Sequence, residues 1–199
     1  MYFDEDLVLD LRLNLLDKYV DYFVIVESKY NHKGETKKLN FNIQNYKKFE
    51  KKIIYLVFNQ EPSDLYKFEK KDTQADISSK YIFNAGKREN GQRNFISQGL
   101  NDAKSDDIII ISDVDEIPNL AGINFNTIKN EIIIFRHDMF YYKFNLKLPN
   151  YKWTGSKACR MKNLKSPQWL RNIKDKKFGF YRVDTFFSET KYRNLLIID

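Results

Sequence analysis

A chain of 199 residues with 42% hydrophobic and 31% charged residues has the length of one domain, with a real core and a well-solvated surface. Its net charge of +7 and pI of about 9.2 favour anionic partners, phosphorylated substrates or acidic membrane surfaces. A lone cysteine, Cys159, excludes an internal disulfide framework, and the absence of a Gly-x-Gly-x-x-Gly or P-loop argues against a Rossmann or Walker-type phosphate site. The lysines are scattered as on a solvated surface, so no nucleic-acid partner is expected. The acidic start lacks the regions of a signal peptide, and no apolar run approaches the ~20 residues needed to span a bilayer. A cytoplasmic protein without a transmembrane segment is expected.

Residues 4–18 read as a helix. Leu7, Val8, Leu11, Leu15 and Leu16 form a stripe at helical spacing, and Asp4, Glu5 and Asp6 suit a helix start. The alternation of Leu7, Leu9, Leu11, Leu13 and Leu15 is the competing strand pattern. Residues 22–26 predict a strand that ends in Glu27 and Ser28. A polar loop follows, carrying His32, Lys33, Gly34, Lys37 and Lys38. A short helix over 42–49 and a buried strand over 53–58 come next. Residues 59–80 are polar, contain Pro62, and read as loop with some helix. Residues 89–100 predict a helix with Phe95, Ile96 and Leu100 on one face and Gly99 weakening or capping its last turn.

Four isoleucines, Ile108 to Ile111, then predict a strand of a parallel sheet covered on both faces. Asp113 and Asp115 follow directly, and Pro118 ends any further strand. The alternation of helix and strand to this point argues for an α/β fold. Open α/β sheets bind ligands beyond the carboxyl ends of their strands. An Asp-x-Asp there suits a hard divalent cation, though aspartates after a strand also serve as plain turn formers. Asp113, Asp115 and Glu116 lie within four residues, and their mutual repulsion would raise at least one pKa unless a cation neutralises them. Beyond Pro118, residues 132–135 and 139–142 predict strands. An aromatic segment with Tyr151, Trp153, Trp169, Phe178, Phe180 and Tyr181 follows. There is no internal repeat and no linker.

Several motifs, in this order, resemble glycosyltransferase family 17. They are Leu11-Arg12-Leu13-Asn14; the run from Val20 through Glu27-Ser28; residues 34–39; Gln92-Arg93-Asn94; residues 106–118; Met139-Phe140-Tyr141-Tyr142 with Asn145; Trp153-Thr154-Gly155; and Leu164 through Arg171. The resemblance implies an α/β, GT-A-like domain spanning 1–199, with a mixed, mostly parallel sheet flanked by helices. It implies a UDP-sugar donor, UDP-N-acetylglucosamine in the characterised members, a Mn²⁺ or Mg²⁺ ion, and inversion at the anomeric carbon. The acceptor is expected to be a glycan or of lipopolysaccharide type. Asp115 is the first choice for direct metal coordination, with Asp113 on the ribose or binding through water. A cation there would stabilise charge developing on the departing β-phosphate.

On the donor side, Glu27 is a candidate acceptor of uridine hydrogen bonds and Lys37 a candidate phosphate partner. Arg93 offers a planar fork for a pyrophosphate or a site carboxylate, and Asn94 a contact to the donor sugar. Trp153 offers a ring face to the acceptor sugar, with Gly155 beside it. Glu116, Asp138, Asp184 and Glu189 are the candidates by type for the base that inversion requires. Family members continue into a Gly-Trp-His-Phe-Ser-like segment. This chain reaches Asp199 without it, so it reads as a domain shortened at its C-terminus. Two alternatives stand beside this reading. One is a haloacid-dehalogenase-like phosphatase, for which Ile117 is the wrong residue. The other is a non-catalytic nucleotide- or glycan-binding relative.

Overall fold

A computed structural model describes residues 1–176, 188–192 and 194–199. Near its start the chain forms helix α1 (Asp6–Leu16), with Asp6 in the first turn where the helix dipole favours negative charge. The helical reading of the leucine-rich opening holds, but the buried stripe is Leu9, Leu13 and Leu16, while Leu7, Leu11 and Leu15 are exposed. Leucine at every odd position offers two overlapping helical stripes, and periodicity alone does not choose between them. The chain divides into two compact units, Met1–Asp6 with Tyr22–Asn101, and Leu7–Asp21 with Asp102–Asp199.

In the first unit, β1 (Phe23–Ser28) pairs in parallel with β2 (Ile53–Phe58), in a register running from Phe23 opposite Ile53 to Ser28 opposite Phe58. Between them two short 3₁₀ turns, separated by a kink at Tyr46 within Ile43–Lys52 and capped at the start by Asn42, bury Tyr46 and Phe49. Helix α2 (Gln74–Asn94) is longer than the sequence suggests. Its start lies in the polar stretch and is set by a capping box, Thr73 with Asp76, which satisfies the first amide donors. The helix predicted over 89–100 ends at Asn94 and tightens into a 3₁₀ turn (Phe95–Gly99). Gly99 is neither a cap nor a weak spot there. A Cβ on it would lie 2.6 Å from Val24 Cγ1, so glycine lets this turn close onto β1.

The second unit holds a four-stranded sheet in the order β3 (Ile108–Ile111), β7 (Lys157–Arg160), β4 (Ile132–Phe135), β8 (Leu195–Ile198). β3 and β4 each run antiparallel to β7, and only β4–β8 is parallel. The four isoleucines of β3 therefore form an edge strand in which Ile109 and Ile111 are buried and Ile108 and Ile110 are not. That corrects the expectation of a doubly covered parallel strand. The fully covered run is β4, all four of whose residues are buried. The fold is mixed α/β, but its sheets are small and mixed rather than one mostly parallel sheet. A separate antiparallel pair, β5 (His137–Phe140) and β6 (Lys147–Trp153), leaves Tyr141 and Tyr142 in the connecting turn rather than in a strand. Helix α3 (Pro167–Asn172) starts with Ser166 accepting from the Trp169 amide and Pro167 in its first turn. Among the described residues no helix is long and apolar enough to cross a membrane. Phe178, Phe180, Tyr181 and Asp184 lie outside the described residues.

Candidate functional site

The segment after β3 folds back on itself. The Glu116 amide donates to the Asp113 carbonyl at 3.1 Å, and the Asp113 amide donates to Glu116 Oε2 at 2.9 Å. Val114 and Glu116 turn inward, with Glu116 only 5% exposed, while Asp115 faces solvent. Sequence order thus sends three neighbouring carboxylates to three environments: half-buried, exposed and buried.

Two arginines hold this turn. Arg12, from α1, donates to Ser112 Oγ at 2.5 Å and to the carbonyls of Glu116 and Asp113 at 2.6 and 3.2 Å. Burial pushes its guanidinium down to about 10, against the pull of Glu116, Asp113 and Asp115. Arg171, from α3, reaches Glu116 Oε2 with Nη1 at 2.6 Å. Its Nη2 lies 2.7 Å from Glu116 Oε1 and 2.8 Å from Asp113 Oδ2. Trp153 Nε1 donates to Glu116 Oε1 at 2.5 Å, and the Arg171 guanidinium lies 5.9 Å from the Trp153 ring centre. Gly155 runs directly beneath, where a Cβ would collide with the Glu116 carboxylate. So Asp113, Trp153 and Gly155 meet around Glu116, and Asp115 lies at the outer edge of the same turn.

Arg171 is positioned in its turn by Lys157. This buried lysine donates to the Arg171 and Ile173 carbonyls at 2.5 and 2.7 Å, completing the last turn of α3. Burial pushes its amine down to about 8. A cleft of about 490 Å³ opens beside Arg171, lined also by Thr154, Lys157, Lys174 and Thr190.

Among the described residues no cluster of three or more His, Cys, Asp or Glu side chains is arranged to hold a metal ion. The donor set does fit a hard cation that takes most of its ligands from phosphate and water, as Mg²⁺ does with one or two carboxylates. Asp115 is exposed, and Asp113 commits one oxygen to Arg171.

In the first unit Glu27 is wholly buried. Its Oε1 accepts from Lys37 Nζ at 2.5 Å and the Asn40 amide at 2.8 Å; its Oε2 accepts from Tyr55 Oη at 2.8 Å and the Phe41 amide at 3.1 Å. These bonds take up the acceptor capacity of the carboxylate inside the protein and pin the 37–41 loop to β1 and β2. Burial alone would raise its pKa, but the four donors outweigh it and hold it below the usual value. Lys37, the sequence candidate for phosphate, is thus the partner of Glu27. Arg93 is buried on α2 and pairs with Glu89 at 2.7 Å; Asn94 is exposed at the end of the helix.

Of the base candidates, Glu116 is committed to Arg171 and Trp153. Asp138 is pulled down to about 2 by Lys147 and then Lys152. Glu189 is exposed, and its carbonyl accepts from Trp169 Nε1. Sequence reasoning gave no role to Arg12, Lys157 or Arg171. A single arginine between Leu11 and Leu13 was the available signal for Arg12. His137 was also missed. Its Nε2 is buried without a hydrogen-bond partner among the described residues, and burial lowers its pKa.

The family model for glycosyltransferase family 17 matches residues 1–169, a stretch that contains Asp113, Asp115, Trp153 and Gly155 and stops just short of Arg171. No curated protein and no solved structure matches the chain.

Proposed function

The chain belongs to glycosyltransferase family 17, and from that premise we propose that it transfers N-acetylglucosamine from UDP-N-acetylglucosamine to a glycan or lipopolysaccharide-type acceptor, with inversion and with a divalent cation. The observation that carries this reading is the turn after β3. It exposes Asp115 while Arg171 pairs with the Asp113 and Glu116 carboxylates and Arg12 holds the backbone carbonyls beside it. Membership in the family leaves the phosphatase alternative without support.

Asp115 is the carboxylate that would hold the cation, with Asp113 as second ligand. A bound Mn²⁺ or Mg²⁺ supplies Lewis-acid stabilisation of the charge on the leaving β-phosphate. The chain's own residues do the positioning. Arg12 fixes the backbone of the turn through two carbonyls, so the Asp115 side chain leaves a rigid base. Arg171 offsets the charge of its two carboxylate neighbours, Asp113 and Glu116. The cleft is lined by three basic residues, Arg171, Lys157 and Lys174, against one acid, Asp175, a balance that suits the negative charge of a nucleoside diphosphate. Trp153 keeps an exposed ring for the acceptor while its Nε1 is tied to Glu116. Glu27 with Lys37 shapes the loop at the end of β1 rather than touching uridine.

The test is calorimetric titration of UDP and UDP-N-acetylglucosamine, with Mn²⁺ and with EDTA, on the native chain and on Asp115→Ala. Metal-dependent binding that the variant loses supports the donor site. Absence of binding to well-folded native protein would sink it. Binding without UDP release in the presence of acceptors would identify a non-catalytic relative.

A further inference from the structure

The antiparallel pair β5–β6 pairs with no other strand among the described residues. Its connecting turn is a built structure: the Tyr141 amide donates to the Leu146 carbonyl at 2.9 Å, and the Leu146 amide to the Lys143 carbonyl at 3.1 Å. Tyr142 sits in this turn with φ of 60°, a left-handed conformation that aromatic residues rarely adopt, and its side chain is 92% exposed. Phe144 is exposed as well, as are Tyr141, Leu146 and Tyr151. A monomeric surface scatters its apolar side chains; a concentration of them on one projecting hairpin marks a contact surface.

The charges between these side chains select the partner. From Phe140 to Lys152 the segment contains Lys143, Lys147 and Lys152 and no acidic residue. At its foot Asp138 takes both Lys147 and Lys152 at 2.8 Å, which leaves Lys143 near the tip beside Tyr142 and Phe144. Lysine is depleted from protein–protein contact surfaces. Lysine stems and aromatic rings together are what the interface of an anionic bilayer accommodates: the ring bodies enter the headgroup layer while ammonium groups meet lipid phosphates. We propose that the 137–153 hairpin is a peripheral docking element for an anionic lipid surface. The hairpin is tied to the candidate site through Trp153 and Glu116, so docking would hold that site at the membrane. This goes beyond the transferase reading and does not depend on it.

The experiment is co-sedimentation of the full chain with vesicles of phosphatidylcholine alone and of phosphatidylcholine with phosphatidylglycerol. Binding is expected to the anionic vesicles only, and to weaken as salt rises. The double substitution Tyr142→Ser with Phe144→Ser, and separately Lys143→Glu, should each lower partitioning about tenfold. Both leave the thermal melt unchanged, since the altered side chains face solvent. Failure to bind either vesicle overturns the proposal. So does binding that the variants leave intact, which would place the contact elsewhere on the basic surface. Self-association that the double variant abolishes, without vesicle binding, would make the hairpin a contact between copies and would equally overturn it.

Discussion

One guanidinium closes on one buried carboxylate: Arg171 Nη1 lies 2.6 Å from Glu116 Oε2 and Nη2 lies 2.7 Å from Oε1. The repulsion built into Asp113, Asp115 and Glu116 is thereby relieved by a cation that the protein carries itself, on a helix more than fifty positions along the chain. Replacing Arg171 by alanine leaves a buried negative charge that, among the described residues, only Trp153 and the Asp113 amide bond. The expected cost is about 3 kcal/mol, read as a lower urea midpoint. Arg171→Lys, which keeps the charge but not the fork, should lose less.

Asp113 and Asp115 should separate when replaced singly by alanine. Asp115 faces solvent, so its replacement should change stability by no more than about 0.5 kcal/mol while abolishing metal-dependent UDP binding. Asp113 accepts from Arg171, so its replacement should also cost about 1–3 kcal/mol of stability. Equal stability losses in the two variants would contradict the turn geometry.

Glu27 makes acid sensitivity a property of the first unit. Its folded pKa lies below the ordinary 4.5, so the unfolded chain binds more protons as pH falls through that range. The stabilisation it supplies is complete above the unfolded value and is lost as pH drops through the lowered folded value. Hydrogen exchange should show the Asn40 and Phe41 amides losing protection in acid, and Glu27→Gln should flatten that dependence.

Gly155→Ala should act on the other unit through sterics. The added methyl meets the Glu116 carboxylate and the Trp153 indole nitrogen, and relief requires breaking the bonds that both make. A loss of about 1–3 kcal/mol is expected, together with a change in Trp153 fluorescence. An unchanged spectrum would show that the backbone shifts instead.

Much of this was legible in the chain itself. The β2 strand over 53–58, helix α1 and β4 follow from local periodicity and β-branched content, which act over a few residues. The Asp113–Asp115 segment was recognisable because apolar strand, acids and proline follow one another directly. Other features depend on residues far apart. Four isoleucines in a row fit a buried parallel strand or an antiparallel edge equally well, and the partner β7, some fifty positions later, decides between them. The tail strand β8 is apolar but short, and it becomes a strand by pairing with β4.

The same division runs through the candidate site. The sequence by itself determined the family, the mixed α/β class and the acidic turn, because each is written in contiguous residues. Only the tertiary structure decided what the three carboxylates do. Arg12, Trp153 and Arg171 converge on that turn from α1, β6 and α3, and the energy of a buried charge is set by which partners reach it in space.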